Sequence, residues 1–209
     1  MWAAIRPWLF PVWCIGCGAP EVGLCVACAG AARPVTAWVD GLTVWAASDY
    51  AGPVRAAVLA TKRGERAYLD PLAGLLAPLV ACGSVVVPLV TTRGRAAERG
   101  FDQARELARR VAALRSGTCA DLLRKRGSAQ RGLDRAARLT ARGRFALRPG
   151  AAVPARAVLL DDVVTTGATL RDAARVLAAA GCAVLGAVVV ARTPPGRETP
   201  RDGGRLVEA

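Results

Sequence analysis

Residues 158–169 read Val158-Leu159-Leu160-Asp161-Asp162-Val163-Val164-Thr165-Thr166-Gly167-Ala168-Thr169. Ala157–Val164 predicts a buried strand carrying two acids at its C-terminal edge. A hydroxyl- and glycine-rich turn follows, then a helix from about Leu170 to Ala180 that Gly181 ends. Open α/β sheets bind their ligands at that edge. Free N–H groups at the start of the helix, with the hydroxyls of Thr165, Thr166 and Thr169, predict a phosphate cradle. The paired carboxylates would repel a phosphate but accept hydrogen bonds from sugar hydroxyls. The stretch therefore reads as a grip for a ribose phosphate. Helix capping alone would leave two carboxylates and three threonines in excess.

Working outward, Val184–Ala191 predicts a further apolar strand, and Val85–Val90 and Leu42–Ala47 two more. Tyr50–Lys62 predicts a helix with Val54, Val58 and Leu59 on one face, and residues 70–81 a second. A basic loop after Val90 leads to a helix over Asp102–Leu114. Residues 116–143 are polar, basic and weakly periodic, with Phe145–Leu147 as a short strand. Apolar strands alternating with amphipathic helices predict an α/β fold with a doubly wound parallel sheet. Ala29–Ala37 reads as a linker, and residues 193–209, with Pro194-Pro195, Pro200 and Gly203-Gly204, as a disordered tail.

The chain has 209 residues, 53% hydrophobic and 22% charged, which supports a real core. Its five Trp (Trp2, Trp8, Trp13, Trp38 and Trp45) all lie in the first 45 positions, so residues 1–40 read as a differently built module. That module holds Cys14-x2-Cys17-x7-Cys25-x2-Cys28. Each Cys-x2-Cys turn aims two sulfurs at one point, and two turns give the four-thiolate set that zinc prefers. Gly16 and Gly18 supply the backbone freedom of a tight knuckle. A redox or iron–sulfur site is the alternative. Four thiolates leave no position for water, which argues against a catalytic zinc. Cys82, Cys119 and Cys182 are isolated and read as buried small hydrophobes.

No His is present, which excludes Ser-His-Asp and Cys-His catalysis and any imidazole acid or base. The net charge is +13, from 29 basic and 16 acidic residues. Residues 91–148 hold 16 basic and 5 acidic side chains, so +11 of the +13 falls there. So concentrated a field suits a polyanion: phosphate, pyrophosphate or nucleic acid. The apolar start, Met1–Trp13, is broken by Pro7 and Pro11, and the uncharged run Pro71–Thr92 by prolines and glycines. Neither reads as a signal peptide or membrane span, and a cytoplasmic location is expected.

The Asp161–Thr169 stretch resembles the phosphoribosyl-pyrophosphate loop of type I phosphoribosyltransferases, and the wider chain resembles the competence-associated ComF family. Besides the four Cys, the likeness rests on Tyr50-x-Gly52-x2-Arg55, on Lys62-x-Gly64, and on Pro88-Leu89 followed by Arg93 and Arg99-Gly100-Phe101-Asp102-Gln103-Ala104. Asp102 stands where Asn is usual. Gln130-x2-Leu133-x4-Arg138 resembles the family's hood, without the Asn that usually follows that Arg. The resemblance implies a zinc module over residues 1–40 and a phosphoribosyltransferase-like domain over 41–192. It implies that Asp161 and Asp162 hold the ribose hydroxyls, and that Thr165, Thr166, Gly167, Ala168 and Thr169 hold the 5-phosphate. Arg93, Arg99 and Lys62 are the expected contacts to a Mg2+-bound pyrophosphate, Arg95 a further basic candidate, and Leu89–Arg93 the pyrophosphate loop. Some purine-specific relatives carry an Asp base at the position of Thr165; Thr cannot do that work. The resemblance also implies a role in DNA uptake. Two further roles stand beside transfer to an unidentified acceptor. One is an accessory that binds single-stranded DNA and DNA-processing proteins through the basic segment and the Trp-rich module. The other is a sensor that binds the sugar phosphate without turnover.

Overall fold

The computed structural model describes residues 12–20, 23–39, 41–126 and 143–194. Trp2 and Trp8, the hood segment from Gln130 to Arg138, and the expected tail from residue 195 onward lie outside them.

The four apolar runs become the central strands of one sheet: β2 (Leu42–Asp49), β3 (Val85–Pro88), β7 (Arg156–Val164) and β8 (Ala183–Arg192). With β1 (Val35–Val39) and β4 (Thr118–Cys119) at its edges, the order is β1-β2-β8-β7-β3-β4. All neighbours run parallel except β1, which pairs antiparallel with β2 from Val35 opposite Ala46 to Val39 opposite Leu42. The fold is thus α/β with a predominantly parallel sheet. The expected linker over Ala29–Ala37 is in part this edge strand. Its residues alternate half-buried and exposed, the period-two signature of a strand with one face in water.

Both faces of the sheet are covered, which is why its central strands are mainly apolar. On one face lie α2 (Gly52–Lys62), α3 (Leu69–Leu76) and α5 (Gln103–Leu114). They bury Val54, Val58, Leu69, Leu72, Leu107 and Val111 against Val86, Val158, Leu160 and Val188. On the other lie α6 (Ala168–Ala179) and the hairpin β5 (Leu123–Lys125) with β6 (Phe145–Leu147). There Leu123, Phe145, Leu170, Ala173 and Leu177 pack on Val44, Val87, Leu159 and Val189. Pro53 opens α2, where its missing N–H costs no helical hydrogen bond.

The expected loop between β3 and α5 contains a helix, α4 (Arg93–Arg99), closed by Gly100 in the left-handed conformation at φ 74°. Its described side chains are half-buried or exposed, so it has no apolar stripe to announce it. Of the three isolated cysteines expected to be buried, Cys182 is buried and Cys119 only half-buried. Cys82 is exposed on the turn before β3, where Cys82 and Gly83 stand outside any packed face.

The four-cysteine knuckle sits against the first face of the domain. Short α1 (Val26–Gly30) follows Cys25, whose sulfur accepts the Cys28 N–H. Leu24 is buried and Ile15 packs on the core of that face. Gly23 lies so close to Ala67 that an added Cβ would stand 2.7 Å from the Ala67 carbonyl. Only a residue without a side chain allows the two backbones to meet there. Among the described residues, no helix is long and apolar enough to cross a membrane.

Candidate functional site

The chain leaves β3 for α4 and α5 on one face of the sheet and leaves β7 for α6 on the other. The two strands are neighbours, so their C-terminal ends open a crevice between diverging connections, the switch point where α/β sheets hold ligands. A cleft of about 550 Å³ lies there. Lys62, Arg95, Arg99, Asp161, Asp162 and Thr169 line it, together with Leu89, Thr91, Asp102, Gln103, Ala104, Lys125 and Val163.

Asp161 and Asp162 sit at the end of β7. Each has one carboxylate oxygen held by the next backbone N–H, Asp161 by Asp162 at 2.8 Å and Asp162 by Val163 at 2.7 Å. Lys62, the last residue of α2, reaches across with its Nζ 2.9 Å from the second oxygen of Asp162. Burial pushes the Asp161 carboxyl well above the usual carboxylate range, and the negative charge of Asp162 adds to the effect. The pair thus offers acceptor oxygens toward the cleft on a rigid strand, with one cation already in place.

The turn after β7 brings Thr165 and Thr166 out as exposed residues and buries Gly167 beneath them. Gly167 is the cap of α6, at φ 72°, and a Cβ on it would overlap Val39 of β1. Glycine is required twice over, by backbone angle and by space. Thr165, Thr166 and Gly167 form the turn and, with Ala168 that opens α6, stand outside the lining of the cleft; Thr169, the next helical residue, lines it. The Thr169 hydroxyl accepts from Arg144 at 3.1 Å. Through Thr169, the N-terminal turn of the 12-residue α6 reaches the cleft that the acid pair lines, and helix N-termini favour anions.

On the opposite wall, the loop after β3 is held by Asp102. One of its oxygens caps α5 through Arg105 N–H at 3.0 Å, and the other takes the Thr91 N–H at 2.7 Å. Leu89 N–H bonds the Leu160 carbonyl at 2.8 Å, tying the same loop to β7 just before the acids. Of the basic residues expected here, Lys62, Arg95 and Arg99 line the cleft, and Arg93 opens α4. Lys125 is a cleft residue that sequence reasoning missed, while Thr91 lies in the expected pyrophosphate loop and Gln103 in the quoted motif, neither with a role of its own assigned. Thr91 had the clearest signal, a hydroxyl just past the end of a buried strand.

Among the described residues, four arginines of the basic segment pair with carboxylates within the chain. Asp121 takes Arg105 at 2.7 Å and Arg148 at 3.2 Å. Glu106 takes Arg109 at 3.2 Å and Arg110 at 2.7 Å, and Arg110 also meets Asp70 at 2.6 Å.

The sulfurs of Cys14, Cys17, Cys25 and Cys28 all lie within 4.8 Å of one another, and those of Cys17 and Cys25 are 3.6 Å apart. A tetrahedron with metal–sulfur bonds of about 2.3 Å spaces its sulfurs by about 3.8 Å, so the cluster is compatible with zinc. Backbone N–H donation from Cys25 and Cys17 pulls the Cys14 thiol down to about 6. Hydrogen bonding among the sulfurs, to Cys25 first and then Cys14, pushes Cys28 up to about 12. A soft divalent cation would displace such shared protons.

The family model of the phosphoribosyl transferase domain matches residues 97–205. Among curated proteins, none matches the chain. The matched stretch takes in α5, β7, the acid pair and the whole turn into α6.

Proposed function

The chain belongs to the phosphoribosyl transferase domain family, and we propose that its cleft binds phosphoribosyl pyrophosphate with Mg2+ and transfers the phosphoribosyl group. The observation that carries this reading is the twin carboxylate at the end of β7 beside the N-terminus of α6, with Lys62 on Asp162. Asp161 and Asp162 accept the ribose 2′- and 3′-hydroxyls. The N–H groups and hydroxyls of Thr165, Thr166, Gly167, Ala168 and Thr169 hold the 5-phosphate. Arg99 and Lys62 face the pyrophosphate, with Arg93 at the start of α4 and Arg95 beside them. Mg2+, arriving with the substrate, spreads the charge of the leaving group.

In the transfer, the bond from C1 to the pyrophosphate oxygen breaks and its electron pair leaves with pyrophosphate. A lone pair of the acceptor forms the new bond to C1, and the acceptor's proton passes to solvent. Positioning and electrostatics supply the catalysis. Thr165 offers no base, so an acceptor that is already nucleophilic when neutral suits this site. Calorimetry with phosphoribosyl pyrophosphate and Mg2+ tests the reading. Binding should be saturable, and D161A or D162A should abolish it together with any pyrophosphate release. Binding that survives both changes would sink it.

The cysteine cluster is proposed to hold structural zinc, since its four thiolates close the coordination sphere. The knuckle ahead of the domain, with Arg99-Gly100-Phe101, supports the finer reading of a ComF-type, cytoplasmic protein serving DNA uptake. Its test is transformation frequency in a naturally transformable host lacking the gene, restored by the wild type and not by the D161A D162A double variant. Single-stranded DNA binding is the weaker reading, because Arg105, Arg109, Arg110 and Arg148 already meet carboxylates.

A further inference from the structure

Gln103 is the first residue of α5 and is only 3% exposed, yet it lines the cleft. Its side-chain amide donates through Nε2 to the Thr61 hydroxyl oxygen. That hydroxyl has a single proton, and it is committed to the Val58 carbonyl at 2.8 Å, one turn back in α2. Thr61 can therefore only accept from Gln103. The amide must present its NH2 group to Thr61, which leaves its oxygen on the other side. This fixes an orientation that the two-fold look of an amide would otherwise leave open. Gln103 Oε1 is buried and has no hydrogen-bond partner among the described residues. A buried acceptor without a donor is costly, and native proteins keep few of them.

Thr61 precedes Lys62, whose ammonium sits on Asp162. Gln103, Lys62 and Asp162 line the cleft, and Thr61, fully buried behind them, links Gln103 to the α2 turn that carries Lys62. We propose that the Gln103 carbonyl oxygen is a ligand acceptor. It takes a hydrogen bond from an O–H donor of the sugar phosphate bound against Asp162, either a ribose hydroxyl or a water on the accompanying Mg2+. The assignment rests on the phosphoribosyl reading of the site and adds to it a residue that selects for the hydroxylated face of the ligand. The free protein carries the unpaired oxygen, and the bound ligand satisfies it.

The test is Gln103→Met, which keeps the length of the side chain and removes both the donor and the acceptor, measured beside D162A. Ribose 5-phosphate without metal probes the hydroxyl source, 2-deoxyribose 5-phosphate removes one hydroxyl, and phosphoribosyl pyrophosphate with Mg2+ adds the metal-bound water. Loss of one neutral hydrogen bond predicts about a fivefold to tenfold fall in affinity. If a ribose hydroxyl is the donor, the fall appears with ribose 5-phosphate and the preference over the deoxy sugar narrows. If metal-bound water is the donor, the fall appears only in the Mg2+ arm. In either case the melting temperature of the free protein should hold or rise, since an unsatisfied oxygen has gone. Should Q103M fail to fold, Thr61→Val frees the amide from its anchor and should weaken binding while the carbonyl remains. The inference is overturned if D162A abolishes binding while Q103M or T61V leaves every affinity unchanged, for the oxygen is then a structural residue only. If the wild type binds none of the three ligands, the phosphoribosyl reading falls and takes this assignment with it.

Discussion

Replacing Gly167 by Ala probes the turn on which the proposed phosphate grip depends. The residue sits at φ 72°, where an L side chain costs about 1–2 kcal/mol. The new methyl would also overlap Val39 Cγ1 and stand 3.3 Å from Val39 Cβ, so strand β1 has to shift. Overpacking of that kind costs about 1–3 kcal/mol, which puts G167A at about 2–5 kcal/mol in all. Val39→Ala alone removes two methylene equivalents from a half-buried site, for about 1 kcal/mol. In the double variant the overlap with Cγ1 is gone, so the two costs should fall short of their sum by about 1–3 kcal/mol. Urea unfolding of the four proteins measures the cycle. Additive costs, or a G167A variant within about 0.5 kcal/mol of wild type, would refute the reasoning. Binding of ribose 5-phosphate should weaken in G167A and return only in part in the double variant, since relief of the overlap leaves the backbone angle strained.

Asp102→Asn should destabilise by about 1–2 kcal/mol, because the Asp uses both oxygens as acceptors and an amide would turn its NH2 group on one of two backbone donors; hydrogen exchange at Thr91 or Arg105 should quicken. For Asp161, burial and the charge of Asp162 raise the folded pKa above the unfolded value. Its contribution is complete below the unfolded pKa of about 3.9 and is lost as pH rises through the folded one. The stability of wild type relative to D161N, followed by urea midpoint, should therefore fall as pH rises above that point, and a flat or rising difference contradicts it. Gly16→Ala would set a methyl 2.7 Å from Cys28 Sγ and 2.9 Å from Pro53 Cγ. Zinc affinity by competition with a chromophoric chelator should drop at least about tenfold, and equal affinity would count against the knuckle geometry.

The fold was legible where burial was complete. Strands β3, β7 and β8 are sandwiched between helices or hairpin and read as apolar runs, broken in β7 only at its C-terminal acids, which no surface element imitates. The acid pair and its turn were legible because two carboxylates and three threonines exceed what capping needs. Strand β1 was not, since Thr36 and Trp38 face water and the preceding Pro34 looks like a linker. Helix α4 was not, because Gly94 and four charged residues give it no apolar stripe. Gln103 was expected as part of a motif, but its work depends on Thr61, 42 positions away in the chain. No local pattern carries such a pairing. Asp102 stood out as an exception to Asn, and only the two backbone donors around it explain why an acid serves there.

The ion pair between Lys62 and Asp162 bears on the order of events at the cleft. Two adjacent carboxylates at a strand end would, if bare, attract free divalent ions from the surrounding solution. A tethered ammonium already stands at one of them, so the vacant protein has little to offer a solitary Mg2+. On the proposed reading, a pyrophosphate arriving with its own metal would give Lys62 an anion to turn toward when it leaves Asp162.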